Sequence, residues 1–206
     1  MTTQNVYFYI FDGLVDYEAA YALAAINNPQ FQRAPGSYKV VTVAETSAAI
    51  TTVGGLKVLP DTTLADASID GAAMVILPGG AKWEKGGNME AVAFAKKLLE
   101  RGGIVAAICG ATLGLAKGGL LDARKHTSNA PEYLAPSKYK GTDKYADTDA
   151  VTDNKVITAG AVNPTGFARE IAKALNLYSE EVTNTWYNLI KTGDRKYFFE
   201  LMKLQG

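Results

Sequence analysis

The sequence predicts an α/β fold in which a mostly parallel β-sheet carries helices on both faces, and three observations support this. Short apolar runs recur along the chain: NVYFYIF (5–11), YKVVTVA (38–44), AAMVILPGG (72–80) and IVAAICG (104–110). They are continuous rather than alternating, as strands buried on both faces require. Between them lie segments of helical periodicity, and glycines mark the junctions.

Taken in order, NVYFYIF reads as the first strand and LVDYEAAYALAAI (14–26) as the helix that follows it. In TTVGGLKVLPDTTLADA (51–67), Gly54-Gly55 between apolar residues suggests a hairpin or paired edge strands. NMEAVAFAKKLLERGG (88–103) sets Val92, Ala95 and Leu99 beside Ala91, Phe94 and Leu98, the stripe of a helix lying on a sheet, and Gly102-Gly103 stops it. KVITAGAVNPTGFAREIAKALNL (155–177) adds a strand, a loop and a helix. After it, Ser179 is placed to cap a helix carrying Val182, Trp186 and Leu189. The chain reads as one domain, 1–206, with 179–206 a C-terminal helical extension rich in aromatics (Trp186, Tyr187, Tyr197, Phe198, Phe199). That extension is expected to pack as a helix pair and to join a homodimer interface or cover a pocket.

Charge narrows the range of partners. Lysine plus arginine equals aspartate plus glutamate, 21 against 21, with no block of one sign, so no footprint for nucleic acid or an anionic membrane is visible. No apolar stretch approaches the ~20 residues of a membrane span, and the N-terminal run lacks the form of a signal peptide. A single cysteine excludes an internal disulfide and suits a reducing compartment, so a cytoplasmic location is expected. One histidine and one cysteine, far apart, supply no metal cluster. The loop DGLVDYEAA has a single glycine and no phosphate-binding pattern occurs elsewhere, which argues against a nucleotide site. No cofactor is expected, and the remaining partners are a small-molecule substrate or an oxidant.

The lone Cys109 lies where the apolar strand IVAAI runs into the helix-forming ATLGLAKG. Ala107 and Ala111, two residues to either side, are the small flanks that a nucleophile elbow requires. A cysteine there sits at a helix N-terminus, where backbone N–H groups favour the thiolate, and the Gly110 N–H is available to an oxyanion. The alternative is a cysteine that merely fills the core.

AAICGA followed by LAKGGLLDARKHT, the upstream VILPGG, and a first strand followed by FDGLVDYEAA occur together in an order that resembles the ThiJ/PfpI family of the class I glutamine amidotransferase-like superfamily. The likeness runs from about residue 5 to about residue 177. It implies a flavodoxin-like three-layer sandwich, often dimeric, with the cysteine in a shallow pocket. It also implies that Glu18, on the first helix, hydrogen-bonds the thiol, and that the Gly80 N–H completes an oxyanion site with that of Gly110. Asp16 is a second candidate for the acidic role, and Trp83 either lines the pocket or packs inside.

The chain departs from the family pattern after the elbow helix. In RKHTSN, Arg124 and Thr127 match, but Asn129 stands where the family has its histidine, and His126 lies three residues earlier. Side chains alternate along a strand, so His126 should face away from residues 127 and 129 unless a bulge reverses the phase. Asparagine can hydrogen-bond but cannot act as a base. Without an imidazole a true glutaminase is not expected. Two readings follow: a cysteine-dependent hydrolase or hydratase acting on a small carbonyl, amide or nitrile-like compound, or a non-catalytic redox or electrophile sensor built on Cys109.

Overall fold

The structure is a computed structural model that describes residues 2–204. Its strands and helices are, in chain order, β1 (Gln4–Tyr9), α1 (Tyr17–Asn27), β2 (Tyr38–Ala44), β3 (Ile50–Thr51), β4 (Lys57–Val58), β5 (Thr62–Thr63), β6 (Ala72–Leu77), α2 (Met89–Glu100), β7 (Ile104–Ile108), α3 (Gly110–Lys117), α4 (Pro131–Leu134), β8 (Ala150–Asp153), β9 (Val156–Ala159), α5 (Pro164–Ala174), α6 (Glu180–Thr192) and α7 (Arg195–Lys203).

Seven of the strands form one sheet in the order β5-β2-β1-β6-β7-β9-β8. All neighbours are parallel except β8, which returns antiparallel to β9. The apolar runs explain the central strands: Val6, Tyr9, Met74 to Leu77 and Val105 to Ile108 are all fully buried, because helices cover both faces. α1 and α5 pack side by side on one face, and α2 and α3 cover the other. This is the flavodoxin-like three-layer arrangement. The Gly54-Gly55 segment forms the expected hairpin, with β3 and β4 antiparallel, while β5 extends the sheet edge beside β2.

The helix ends follow local chemistry. The Gly103 N–H reaches Leu98 O and the Gly102 N–H reaches Leu99 O, with Gly102 at φ +86°, a Schellman closure of α2. Ser179 caps α6 by accepting from the Val182 N–H at 3.1 Å. α6 packs on α5 and on α7, and its Trp186 meets Tyr21 of α1 edge-on. Phe198 and Phe199 of α7 remain exposed. No helix among the described residues is long and apolar enough to cross a membrane.

The strand order places a topological switch beside β1. From β1 the chain crosses to β2 on one side and then returns to β6 and β7 on the other. In such sheets the crevice outside the C-terminal ends of the strands at the switch is the natural ligand site.

Candidate active site

The C-terminal ends of β1, β6 and β7 lie side by side and deliver three groups to that crevice: Glu18 in the first turn of α1, Gly79 and Gly80 after β6, and Cys109 after β7. At Cys109 the chain turns from β7 straight into α3 with φ 56° and ψ −123°, a backbone state costly for any residue with a side chain. The surroundings hold it there. Ala107 and Ala111 are fully buried, and the Cys109 N–H bonds Ala159 O at 3.0 Å. The Thr112 hydroxyl donates to Cys109 O at 2.6 Å. With its one proton so used, Thr112 accepts from the Ser128 hydroxyl, also at 2.6 Å. The half-buried thiol therefore stands on a sharp elbow at the head of a helix.

Glu18 is almost wholly buried beside it and accepts the Gly79 N–H at 2.6 Å through Oε2. Gly79 is the wedge between acid and thiol, since a Cβ there would lie 2.6 Å from Glu18 Oε2 and 2.9 Å from Cys109 Sγ. Burial raises the Glu18 carboxyl above its ordinary range, against the Gly79 N–H and the thiol, which favour its charged form. Burial also pushes the Cys109 thiol up to about 11, and the neighbouring Glu18 adds to the rise. The Asn129 side chain and the Gly110 N–H pull the other way. Charge on either group therefore makes the other harder to ionise.

Asn129 approaches the sulfur from the opposite side. Its Oδ1 accepts the Ala161 N–H at 2.8 Å, which turns Nδ2 toward Cys109 Sγ at 3.5 Å. The residue in the family's histidine position is thus a donor to sulfur. Gly80, at φ 149°, packs its backbone against Gly110, whose Cβ position would lie 3.3 Å from the Gly80 nitrogen. The Gly80 N–H has no acceptor among the described residues.

Three other candidates are placed elsewhere. His126 is not a partner of Cys109: it is completely buried, with Nδ1 on Arg124 O at 2.8 Å and Nε2 on Tyr139 Oη at 2.9 Å. The segment forms no strand, only an isolated bridge from His126 to Tyr145, and the ring is held between Tyr139 and Tyr145 by its two hydrogen bonds. Trp83 is not a pocket wall, because it is fully buried with Nε1 donating to Pro78 O and its ring filling the space over Gly110 and Gly114. Asp16 turns to the β3-β4 hairpin, where Oδ2 accepts the Gly54 N–H at 2.7 Å and contact with Thr52 holds its carboxyl below the usual range. Replacing His126 with phenylalanine leaves Tyr139 Oη and Arg124 O without a partner, and a stability loss of about 1–3 kcal/mol is expected. The urea midpoint should drop while Cys109 alkylation at fixed pH stays unchanged; slowed alkylation would return His126 to the site.

Sequence reading missed Gly79 and the Thr112–Ser128 pair, which lie apart in sequence and meet only in the fold. The C-terminal extension reaches the neighbourhood indirectly. Tyr187 and Lys191 of α6 bind Asp149, which lines a cleft of about 410 Å³ beside Asn129. A larger cavity of about 670 Å³ lies at the other end of the sheet, near Gln4, Ala72 and Ile104, away from the thiol.

Comparison with known proteins agrees with this geometry. The model of the DJ-1/PfpI family matches residues 4–174. A Bacillus subtilis (strain 168) protein described as "Uncharacterized protease YoaZ" is 40% identical over 205 residues, covering 98% of both chains. The crystal structure of a thiJ/pfpI family protein from Bacillus anthracis superposes with a TM-score of 0.87 at 38% identity, covering 98% of this chain and 97% of that one. The DJ-1 superfamily protein Atu0886 from Agrobacterium tumefaciens gives a TM-score of 0.81 at 30% identity, covering 93% and 99%. With a family match over most of its length, and an elbow cysteine beside a buried glutamate, this chain belongs to the DJ-1/PfpI family.

Proposed function

We propose that the protein is a cysteine-dependent hydrolase or hydratase acting on a small carbonyl, amide or nitrile-like compound. The observation that carries this reading is the placement of a buried carboxyl, Glu18, and the Cys109 thiol on either side of Gly79, close enough that each alters the other's titration. With the proton on Glu18, the thiolate adds to the electrophilic carbon and forms the S–C bond. The π electrons move to oxygen or nitrogen, where the Gly80 and Gly110 N–H groups meet the new charge and Glu18 delivers its proton. With an amide, the proton of Glu18 goes to the departing amine as the C–N bond breaks and a thioester remains. Water then attacks the thioester or, with a nitrile or carbonyl, the adduct itself; the S–C bond breaks, the hydroxyl of water stays with the product and one proton returns to the Glu18–Cys109 pair.

The relative described as an uncharacterized protease suggests hydrolysis, and the site here favours small substrates. No imidazole is at hand to shuttle protons along an extended peptide, since His126 is engaged by Arg124 O and Tyr139 Oη. Replacing Cys109 with serine should abolish turnover over a panel of small carbonyls, amides and nitriles. Wild-type rates in that variant would overturn the proposal.

One observation favours a second reading. Asn129 donates to sulfur where a base would otherwise stand, an arrangement that also suits an oxidised sulfur carrying acceptor oxygens, and so a redox or electrophile sensor. Intact-mass spectrometry after mild peroxide distinguishes the two: a sensor gains oxygen at Cys109 at low oxidant, whereas an enzyme that is no sensor keeps its free thiol.

A further inference from the structure

Tyr133 lies close enough to the thiol for Cys109 to act on its hydroxyl, Glu84 is hydrogen-bonded to it, and the proposed reaction uses neither. Tyr133 lies on α4, four residues beyond Asn129. Glu84 follows Trp83, whose N–H bonds Gly80 O at 3.2 Å. The Tyr133 hydroxyl donates to Glu84 Oε1 at 3.1 Å, so this one hydrogen bond joins the two loops that flank the thiol, one carrying Gly79–Gly80 and the other Asn129. Burial, then Glu84 and then Cys109 push the Tyr133 hydroxyl well above the ordinary phenol range, so it stays neutral. Its only proton points at Glu84, and its lone pairs are left to accept.

Glu84 forms no ion pair among the described residues, where Lys82 is matched with Glu45 and Lys117 donates to Trp83 O. The crevice therefore has two unlike sides. The Gly80, Gly110 and Asn129 N–H groups are donors, while Tyr133 Oη and the exposed Glu84 carboxylate are acceptors.

We propose that Tyr133 and Glu84 form a specificity subsite for the electrophile that Cys109 attacks, accepting from a cationic or N–H-bearing substituent and disfavouring anionic ones. This rests on the reading of Cys109 as a nucleophile and adds to it the class of substrate: amino-, amido- or guanidino-substituted electrophiles rather than carboxylates or phosphates.

Methanethiosulfonates of one scaffold and three charges test this without any need for turnover. The thiolate attacks the sulfenyl sulfur, an S–S bond forms and methanesulfinate leaves, so the rate reports access to Cys109 alone. Rates with 2-aminoethyl, 2-sulfonatoethyl and methyl methanethiosulfonate are compared at low ionic strength in wild type, Glu84→Gln, Tyr133→Phe and Glu100→Gln, the last altering a carboxylate at the far end of α2. Glu84→Gln should lower the cation-to-anion rate ratio about fivefold and leave the neutral reagent within about twofold. Tyr133→Phe should lower the cationic rate about twofold, and Glu100→Gln should change nothing. An unchanged ratio in Glu84→Gln, or an equal change in Glu100→Gln, overturns the subsite while leaving the nucleophile intact. A wild-type thiol inert to all three reagents overturns both readings.

Discussion

Replacing Gly79 with alanine should disable the thiol and cost about 1–3 kcal/mol of stability. The backbone is not the obstacle, since Gly79 is absent from the positive-φ positions and alanine could adopt its conformation. The obstacle is space. An alanine Cβ would lie 2.6 Å from Glu18 Oε2, 2.7 Å from Cys109 Cβ and 2.9 Å from Sγ, and none of these can retreat easily. Cys109 is fixed by the elbow and its bond to Ala159 O, and Glu18 is nearly without solvent exposure. Something must move, and either the Gly79 N–H releases Glu18 or the acid and the thiol are driven apart. Urea denaturation together with the pH profile of iodoacetamide alkylation reads both effects. A wild-type midpoint with a wild-type profile would show that the wedge is looser than its geometry implies, and the pairing of Glu18 with Cys109 would lose its structural basis.

That Gly79 had to be found in the fold shows where the sequence stops being legible. VILPGG announces a turn after a strand, but two adjacent glycines look alike until α1 is laid over them. Only then does one become the wedge at Glu18 and the other, with its Cβ position 2.6 Å from Gly13 O, the partner of Gly110. The sheet was readable because its central strands are buried on both faces and show it as unbroken apolar runs. Cys109 was readable because a sharp elbow demands small neighbours, a local constraint written in Ala107 and Ala111. Glu18 and Asp16 were not separable by local pattern. Their spacing points them to different sides of α1, and what decides between them is the hairpin loop that claims Asp16. Trp83 was equally open, because an aromatic after a glycine turn suits a pocket or a core, and the choice belongs to Gly114 of α3, which leaves room for the ring. Tyr133 and Glu84, 49 residues apart, share no pattern that sequence alone could display.

Replacing Glu18 with glutamine should make Cys109 more reactive and the protein less active. The thiol is held up to about 11 by burial first and by the Glu18 charge second. Glutamine keeps the shape and removes the charge, so less work is needed to form a second anion in the same space and the thiol pKa falls. Burial persists, so it should come to rest above the ~8.5 of a free thiol. At a fixed pH between those limits a larger thiolate fraction follows, and alkylation by neutral iodoacetamide near pH 9 should accelerate by about tenfold for each unit of decrease. Turnover should move the other way, since an amide carries no proton to deliver to the oxygen or nitrogen of the adduct.

Stability supplies an independent reading. A carboxyl raised by burial supports the fold while protonated and loses that contribution as pH rises through its folded value. The wild-type stability curve should therefore fall above the ordinary carboxylate range, and that segment of the fall should vanish in the glutamine variant. Opposite changes in alkylation and turnover would separate the proton carried by Glu18 from its electrostatic burden on the thiol. If both fell together, Glu18 would act by stabilising the thiolate itself, as a protonated carboxyl that donates a hydrogen bond to sulfur in the resting protein.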